Sequence, residues 1–503
     1  MSVKKQIIKG TIVLTTATLT SRVLGFLYRI FLSNLIGAKG MGIFQLIFPV
    51  LGFCIALSCG GIQIAVSRFV AESKNKADRF MILISSILMS LALSAFTTIC
   101  LYFFAEPVSM YIIKNKECCQ LLKYASITIP LATFHSCVSG YYLGMKKTLV
   151  PALCSIIEQV VKVGAVFIIG MVCVENHIKI TPMLAVYSMI ISECAGAIFC
   201  VIALSGEKKY KFQIRELFSS IKKLFSVSYI LTINKIMMTF LQCFEAILVP
   251  LVLLKSGLSS DDALSIYGIL TGMALPVISF PSAINSSVST MILPTIAGAN
   301  TDGNRLQVRR TTEVTIWFSL VMGIFFIGFF LSFGDFIGGT VFGHSQAGEY
   351  IKILAWLCPF MYLSISMGSI LHGLGHTNVA FIHNVIGTAI RLACLWFLVP
   401  QVGITGYLWG LLGSDLVTVF LHGRYIKKDI HFSFDCVNNI VLPIIWVSCS
   451  ILAGRLIKYI LNFSSFNGKL FEFVSSGISA GVLVGVFLYF LIRRLRELRK
   501  QTL

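Results

Sequence analysis

A chain of 503 residues that is 56% hydrophobic and only 12% charged, with a mean hydropathy of +0.87, is not a water-soluble globular protein. Soluble domains carry about twice that charged fraction. The net charge of +20 raises the question of a nucleic-acid partner, but the basic residues are dispersed and accompany no aromatic platform or nucleic-acid motif. The composition therefore indicates an integral membrane protein with no nucleic-acid partner.

Stretches of about twenty mostly apolar residues predict an all-α membrane fold with about fourteen transmembrane helices. The spans leave short loops and no room for a soluble domain. Their approximate centres are Ser21, Leu51, Leu91, Ala132, Val161, Ile190, Met238, Val277, Met322, Trp356, Ile386, Gly410, Ser448 and Val482.

The first span, 11–35, contains two arginines, Arg22 and Arg29. A cation near the bilayer centre costs about 2.5–3.5 kcal/mol on insertion scales, so each needs a partner or a watery cavity. Seven residues are two helical turns, which places both side chains on one face about 10 Å apart, with Gly25 between them. Such a pair suits an extended anion such as a pyrophosphate. In the alternative interpretation, Arg29 reaches the membrane surface and Arg22 pairs with a buried acid.

The fifth span contains Glu158 and Lys162, four residues apart in the order that allows pairing across one helical turn. One interpretation is a self-neutralised pair that lines a cavity. The other is that Lys162 contacts substrate, while Glu158 is its charge partner or neutralises one of the two arginines. Both interpretations place this helix beside an aqueous cavity.

Further ionisable residues lie in later spans. Lys235, in the seventh, has no acid within one turn and is the fourth cation among the candidates for substrate binding. Glu193 and Glu245 are interpreted as buried structural carboxylates, with proton or cation transfer as the alternative. Arg391 and Asp415, on the eleventh and twelfth spans, are predicted to pair between neighbouring helices.

The distribution of basic residues predicts the orientation. Segments on the side of the N-terminus carry 26 lysines and arginines, against about six in the opposite loops. Cytoplasmic loops are enriched in Lys and Arg, so both termini are predicted to be cytoplasmic. The apolar run that follows Lys9 continues to Leu35 without a small-residue cleavage site, so it is interpreted as a retained span and not a signal peptide. The basic tail after Leu491 is expected to lie against anionic lipid headgroups.

The longest basic loop, 207–223, follows the sixth span and suggests the division into domains. The prediction is an N-terminal lobe at 1–213, a C-terminal lobe at 214–428, and two last helices with the basic tail at 429–503.

Signatures of enzymes, cofactors and metals are missing from the sequence. There is no GxxxxGK[ST] phosphate loop, no HExxH and no nucleophile elbow, so neither an enzyme nor direct use of ATP is expected. The 15 cysteines lie mostly in apolar runs and read as small hydrophobic residues. The eight histidines form no metal-spaced cluster, and His372 and His376 flank a predicted turn. No cofactor and no metal are therefore expected.

Several strings resemble the polysaccharide and lipid II flippase family, in particular its sporulation-type members, which are relatives of the multidrug and toxin extrusion transporters. They are TSRVLGFLYR at 20–29, IGAKGMG at 36–42, IEQVVK at 157–162, FPS at 280–282 and ILP at 292–294. The resemblance extends over essentially the whole chain.

The resemblance implies fourteen helices, in two six-helix lobes around a central cationic cavity, with the last two helices forming a groove for a polyprenyl tail. It implies that Arg22 faces the cavity, and Arg29, Glu158 and Lys162 match the sporulation-type pattern. Two arginines of the lipid II flippases correspond here to the uncharged residues Ile55 and Pro276.

The expected function is a flippase for a polyprenyl-pyrophosphate-linked saccharide, such as a lipid II-type peptidoglycan precursor for the cell wall or the spore cortex. Arg22, Arg29, Lys162 and Lys235 would hold the pyrophosphate, and an ion gradient or the membrane potential would reset the transporter. The alternatives are an exporter of another lipid-linked polysaccharide unit and a drug or ion antiporter on the same fold. An antiporter for cations would favour an acidic cavity, whereas these residues are basic.

Overall fold

The computed structural model describes residues 3–73, 75–207, 214–462 and 469–501, and within these ranges it is helical without a strand. The all-α prediction is confirmed. The chain divides into two compact units, Met1–Gly268 and Ile269–Leu503. This division falls inside the predicted C-terminal lobe, and the boundaries after 213 and 428 stay predictions. Part of the predicted basic loop, 208–213, lies outside the described residues.

The first unit consists of nine α-helices and one π-helical segment among the residues that the structure describes. The helices are α1 (Val3–Cys59), α2 (Ile62–Glu72), α3 (Lys76–Pro107), α4 (Glu117–Ala125), α5 (Thr128–Gly144), α6 (Leu149–Glu175), α7 (Met183–Ser205), α8 (Ile214–Lys255) and α9 (Ser260–Gly268). The π-helical segment, Val108–Ile113, continues α3.

The second unit also consists of α-helices and π-helical segments among the described residues. Its helices are α10 (Leu275–Ser279), α11 (Ser282–Thr301), α12 (Arg305–Phe336), α13 (Ser345–Ala355), α14 (Cys358–Gly373), α15 (Thr377–Phe397), α16 (Val399–Val402), α17 (Ile404–Ile430), α18 (Leu442–Asn462) and α19 (Lys469–Gln501). Three π-helical segments, Ile269–Ala274, Ile337–Val341 and Val437–Val441, complete it within the described ranges. A turn containing Gly375 joins α14 to α15, where His372 and His376 predicted one.

Eleven helical stretches of the described residues are long and apolar enough to cross a membrane, or up to twelve if the bent pair α13 and α14 is one span. Large side chains such as Phe96, Phe103 and Phe104 on α3 are exposed, as expected of a surface that faces lipid. The chain is therefore a multi-pass membrane protein. The count of fourteen spans stays a prediction.

Helix α1 consists of two arms that fold back on each other at Gly37. Gly37 has φ 69° and ψ −178°, a conformation that essentially only glycine adopts. Lys162 contacts the rings of both Tyr28 and Phe48, at 4.7 and 5.9 Å from its ammonium nitrogen. Twenty residues of continuous helix would separate those rings by about 30 Å, so the chain must reverse between them.

Backbone-to-backbone packing holds the second arm of α1 against α9. A Cβ atom on Gly42 would overlap the carbonyl oxygen of Leu264, and one on Gly268 would overlap that of Ala38. Lys39 adds an exposed ion pair with Asp261 at 2.8 Å. Because exposed pairs contribute little, the close approach of the two glycines is the main constraint at this crossing.

In the second unit, the last two helices pack on α12. The rings of Phe325 on α12 and Phe487 on α19 stack with centroids 4.1 Å apart. A Cβ atom on Gly328 would overlap the side chain of Val447 on α18. The predicted polyprenyl groove of these two helices stays a prediction.

Candidate functional site

The first arm of α1 and helix α6 lie side by side in parallel, which places the predicted residues of both helices in register. Ser21 Oγ is 3.1 Å from Ser155 Oγ. One turn later, a Cβ atom on Gly25 would lie 3.5 Å from Gln159 Oε1. The next turn brings Tyr28 to Lys162. Gly25 therefore faces the polar side chain of Gln159 on α6.

Arg22, Gly25 and Arg29 follow one another at helical spacing along the first arm. Both arginine side chains are half-buried. The charge of Arg29 lies within electrostatic range of Lys162. The structure thus places two of the predicted cations close together, with Arg22 two turns away along the same arm.

Lys162 is positioned by aromatic rings. Its ammonium nitrogen lies 4.7 Å from the centroid of Tyr28, a cation–π contact that contributes about 0.5–2 kcal/mol depending on its solvation. Tyr28 is buried, and its hydroxyl lies 3.3 Å from Ser188 Oγ on α7. Lys162 is therefore presented from a fixed aromatic support.

The predicted charge partner, Glu158, makes its short contacts with two other side chains. Its Oε1 atom lies 3.3 Å from His135 Nδ1 and accepts a hydrogen bond of 3.2 Å from the Cys154 thiol. The charges of Glu158 and Lys162 also act on each other. Gly196 on α7 provides the space, because a Cβ atom there would overlap the Glu158 carboxylate.

His135 joins Glu158 to a second carboxylate. Its Nε2 atom lies 3.4 Å from Oε2 of Glu193 on α7, so the imidazole stands between two acids from different helices. Lys162 is within electrostatic range of both acids. Helices α5, α6 and α7 thus build a connected cluster of ionisable groups, and Arg29 on α1 lies within electrostatic range of its lysine.

Lys235 lies in another part of the first unit. It is exposed, and its Cγ would be 3.3 Å from a Cβ atom on Gly60. Gly60 follows the Gly37 reversal by 23 residues, whereas Arg29 precedes it by eight. At 1.5 Å per residue the two positions differ by about 22 Å along the arms. Lys235 is thus separated from the contact between Lys162 and Tyr28.

The family model described as polysaccharide biosynthesis protein matches residues 7–299, more than half of the chain. The chain belongs to this family. A second model, MatE, matches residues 235–397.

Relatives of this polysaccharide biosynthesis family member cover it almost completely. Stage V sporulation protein B of Bacillus subtilis (strain 168) is 24% identical, with 99% of this chain and 98% of the relative covered. The lipid II flippase MurJ of the same organism is 22% identical, with 96% and 94% covered. A solved structure, lipid II flippase MurJ in an inward closed conformation, has a TM-score of 0.70 at 15% identity, covering 97% and 99%. The structural likeness shows the fold. The relatives are named as flippases and a sporulation protein, and none of these names is that of an enzyme.

All the site residues of this family member described above fall within the matched range 7–299. Sequence reasoning missed His135 and treated Glu193 as an isolated carboxylate. A signal for His135 was present, because an ionisable residue inside an apolar span marks a functional position by default.

The remaining charged residues considered from the sequence lie on other helices. Glu245 is buried in α8. In the second unit, the Arg391 guanidinium donates to Ser414 Oγ at 3.4 Å, so it reaches the residue next to Asp415. The pairing of Arg391 with Asp415 stays a prediction.

Proposed function

We propose that this protein is a flippase that moves a polyprenyl-pyrophosphate-linked saccharide from the inner to the outer leaflet of the cytoplasmic membrane by alternating access. The observation that carries the proposal is that Lys162 lies within electrostatic range of Arg29, with the half-buried Arg22 two turns along the same arm of α1, all in membrane-embedded helices. Cations within a membrane-spanning segment mark substrate or ion pathways. A lipid-linked pyrophosphate carries the negative charge that such a group of cations favours.

In this mechanism the three cations have different tasks. The guanidinium groups of Arg22 and Arg29 offer planar pairs of donors that match phosphate oxygens. Lys162 acts as a compact point charge, held in place by the Tyr28 ring. Lys235, which lies apart from them, is assigned a later or earlier contact along the path of the headgroup.

A lipid II-type peptidoglycan precursor is the proposed substrate, with the spore cortex as one destination. The full-length similarity to stage V sporulation protein B and to the lipid II flippase MurJ of Bacillus subtilis supports this choice. Glu158 and Glu193 next to the cations support a contribution of an ion gradient to the reset step, alongside the membrane potential.

The proposed function is tested by following the substrate. Purified protein is reconstituted in vesicles with a fluorescent polyprenyl-pyrophosphate disaccharide-peptide, and exposure of the headgroup is measured with an impermeant enzyme or quencher. We expect exposure of the inner-leaflet pool only in vesicles that contain the protein. Equal exposure in protein-free vesicles, or exposure of ordinary phospholipids at the same rate, would contradict a specific flippase.

We further propose that both termini are cytoplasmic. The distribution of basic residues supports this arrangement, because cytoplasmic segments are enriched in Lys and Arg. The parallel course of α1's first arm and α6 supports one part of it, that the start of α6 lies on the same side of the membrane as the N-terminus.

Reporter fusions should accordingly place residue 424 and the C-terminal tail in the cytosol, and residues 114 and 255 outside. Fusions within the basic segment 208–223, whose second part is the start of α8, should also report the cytosol. If positions 114 and 208 report the same side, the proposed orientation is wrong.

A further inference from the structure

We propose that His135, Cys154 and Glu158 form a binding site for a transition-metal dication of the zinc class within the first unit, between α5, α6 and α7. The three potential ligand atoms lie within 4.8 Å of one another. Nitrogen, thiolate sulfur and carboxylate oxygen are the ligands that zinc combines in proteins. The site is distinct from the arginines and Lys162, and its proposal does not depend on the proposed transport function.

The spacing of the three atoms fits a metal ion. Glu158 Oε1 is 3.3 Å from His135 Nδ1 and 3.2 Å from Cys154 Sγ, and the third side of the triangle is at most 4.8 Å. A point equidistant from all three then lies about 2.4 Å or less from each, against about 2.0–2.3 Å for zinc bonds. Small side-chain shifts would complete the coordination. A fourth position is left for water, as at three-ligand zinc sites.

A second observation, independent of that triangle, also indicates a metal. A histidine that binds a metal through one ring nitrogen usually donates its other N–H to a carboxylate. Here His135 Nε2 faces Glu193 Oε2 at 3.4 Å. That oxygen is buried and accepts no hydrogen bond from the described residues. A metal on Nδ1 would place the ring proton on Nε2, the ring nitrogen that lies next to this oxygen.

Charge balance favours the loaded site inside a membrane protein. On binding, the Cys154 thiol releases its proton to solvent, and the resulting thiolate together with the Glu158 carboxylate neutralises the dication. The remaining acid, Glu193, is within electrostatic range of Lys162. The charges of the dication, its two anionic ligands, Glu193 and Lys162 then sum to zero.

The site is not completely enclosed by the described residues. The side chains of His135, Glu158 and Glu193 keep 23%, 16% and 21% of their surface exposed. Cys154 itself is buried, and its sulfur also contacts Cys200 at 3.7 Å. Because these two thiols are close, the protein must be kept reduced in any binding experiment.

The test uses the full-length protein purified in detergent, stripped with a chelator and kept with a phosphine reductant. Zinc chloride is added, unbound ion is removed by gel filtration, and the zinc content and the thermal midpoint of unfolding are measured. We expect about one zinc per chain and a raised midpoint. Cys154→Ser and His135→Gln should lose the bound zinc. Glu193→Gln should bind about 10- to 100-fold more weakly, as for other carboxylate partners of metal-binding histidines.

Cys200→Ser is the matched control, since it removes a buried thiol that touches Cys154 without removing a ligand, and it should bind zinc like the wild type. Equal zinc content in the wild type and in Cys154→Ser would overturn the proposal, because the ion would then sit on other thiols. Cobalt chloride added to the wild type gives a check that needs no variant. We expect a thiolate-to-cobalt absorption band and a tetrahedral visible spectrum, and their absence would also overturn the proposal.

Discussion

The Arg22→Ala, Arg29→Ala double variant is expected to lose transport of the lipid-linked precursor while inserting into the membrane in wild-type amounts. Each charge-assisted contact to phosphate contributes about 1.5–3 kcal/mol, or about 10- to 150-fold in binding. Removing both should therefore reduce transport by more than about 100-fold. Insertion should not suffer, because removing a charge from a span makes insertion easier. Transport is measured as headgroup exposure in reconstituted vesicles, and insertion by quantitative immunoblotting.

Single variants separate the roles of the cations. Arg22→Lys should retain partial transport, since a point charge survives although the paired donors are lost. Lys162→Met should also reduce transport, because it removes the charge. The methionine still places an unbranched apolar side chain against the Tyr28 ring. Arg68→Ala is the matched control, because Arg68 is an exposed arginine whose partner is Glu72, one turn away. Full transport by the arginine double variant would refute the anion-binding role of the α1 face, whatever the substrate.

The Gly42→Leu variant is expected to yield almost no folded protein. Even a Cβ atom at Gly42 would overlap the Leu264 carbonyl oxygen, which belongs to the backbone of α9 and cannot change rotamer. Overpacking a well-packed region costs about 1–3 kcal/mol where side chains can adjust, so a collision with backbone should cost more. The readouts are the monodisperse fraction in gel filtration and the thermal midpoint in detergent.

Gly164→Leu serves as the control for the glycine prediction. Gly164 also lies within a transmembrane helix, but a Cβ atom there would meet nothing within 4 Å. It should therefore yield folded protein with nearly the wild-type midpoint. A Gly42→Leu variant as stable as Gly164→Leu would show that the α1–α9 crossing does not constrain the fold.

Hydropathy and helical spacing, which are local properties of the chain, were enough for the class of fold and for one face of the site. Apolar runs predict membrane helices because the bilayer interior accepts few charges and requires its backbone groups to be paired. Arg22, Gly25 and Arg29 share a face because α-helical geometry is the same in any context. The same geometry predicts that Glu158 and Lys162, one helical turn apart, lie on one face of their helix beside an aqueous cavity.

The partners of these residues were decided by tertiary structure alone. Lipid-facing and helix-facing surfaces are both apolar, so hydropathy does not reveal how each helix is rotated about its axis. The Gly37 reversal brings Phe48 back beside Tyr28, and the rotations of α5, α6 and α7 direct His135 between Glu158 and Glu193. The same effect separates Lys235 from the other cations, although the sequence grouped all four as candidates for binding the pyrophosphate. The sequence by itself determined which residues are charged within the membrane, and only packing decided which of them meet.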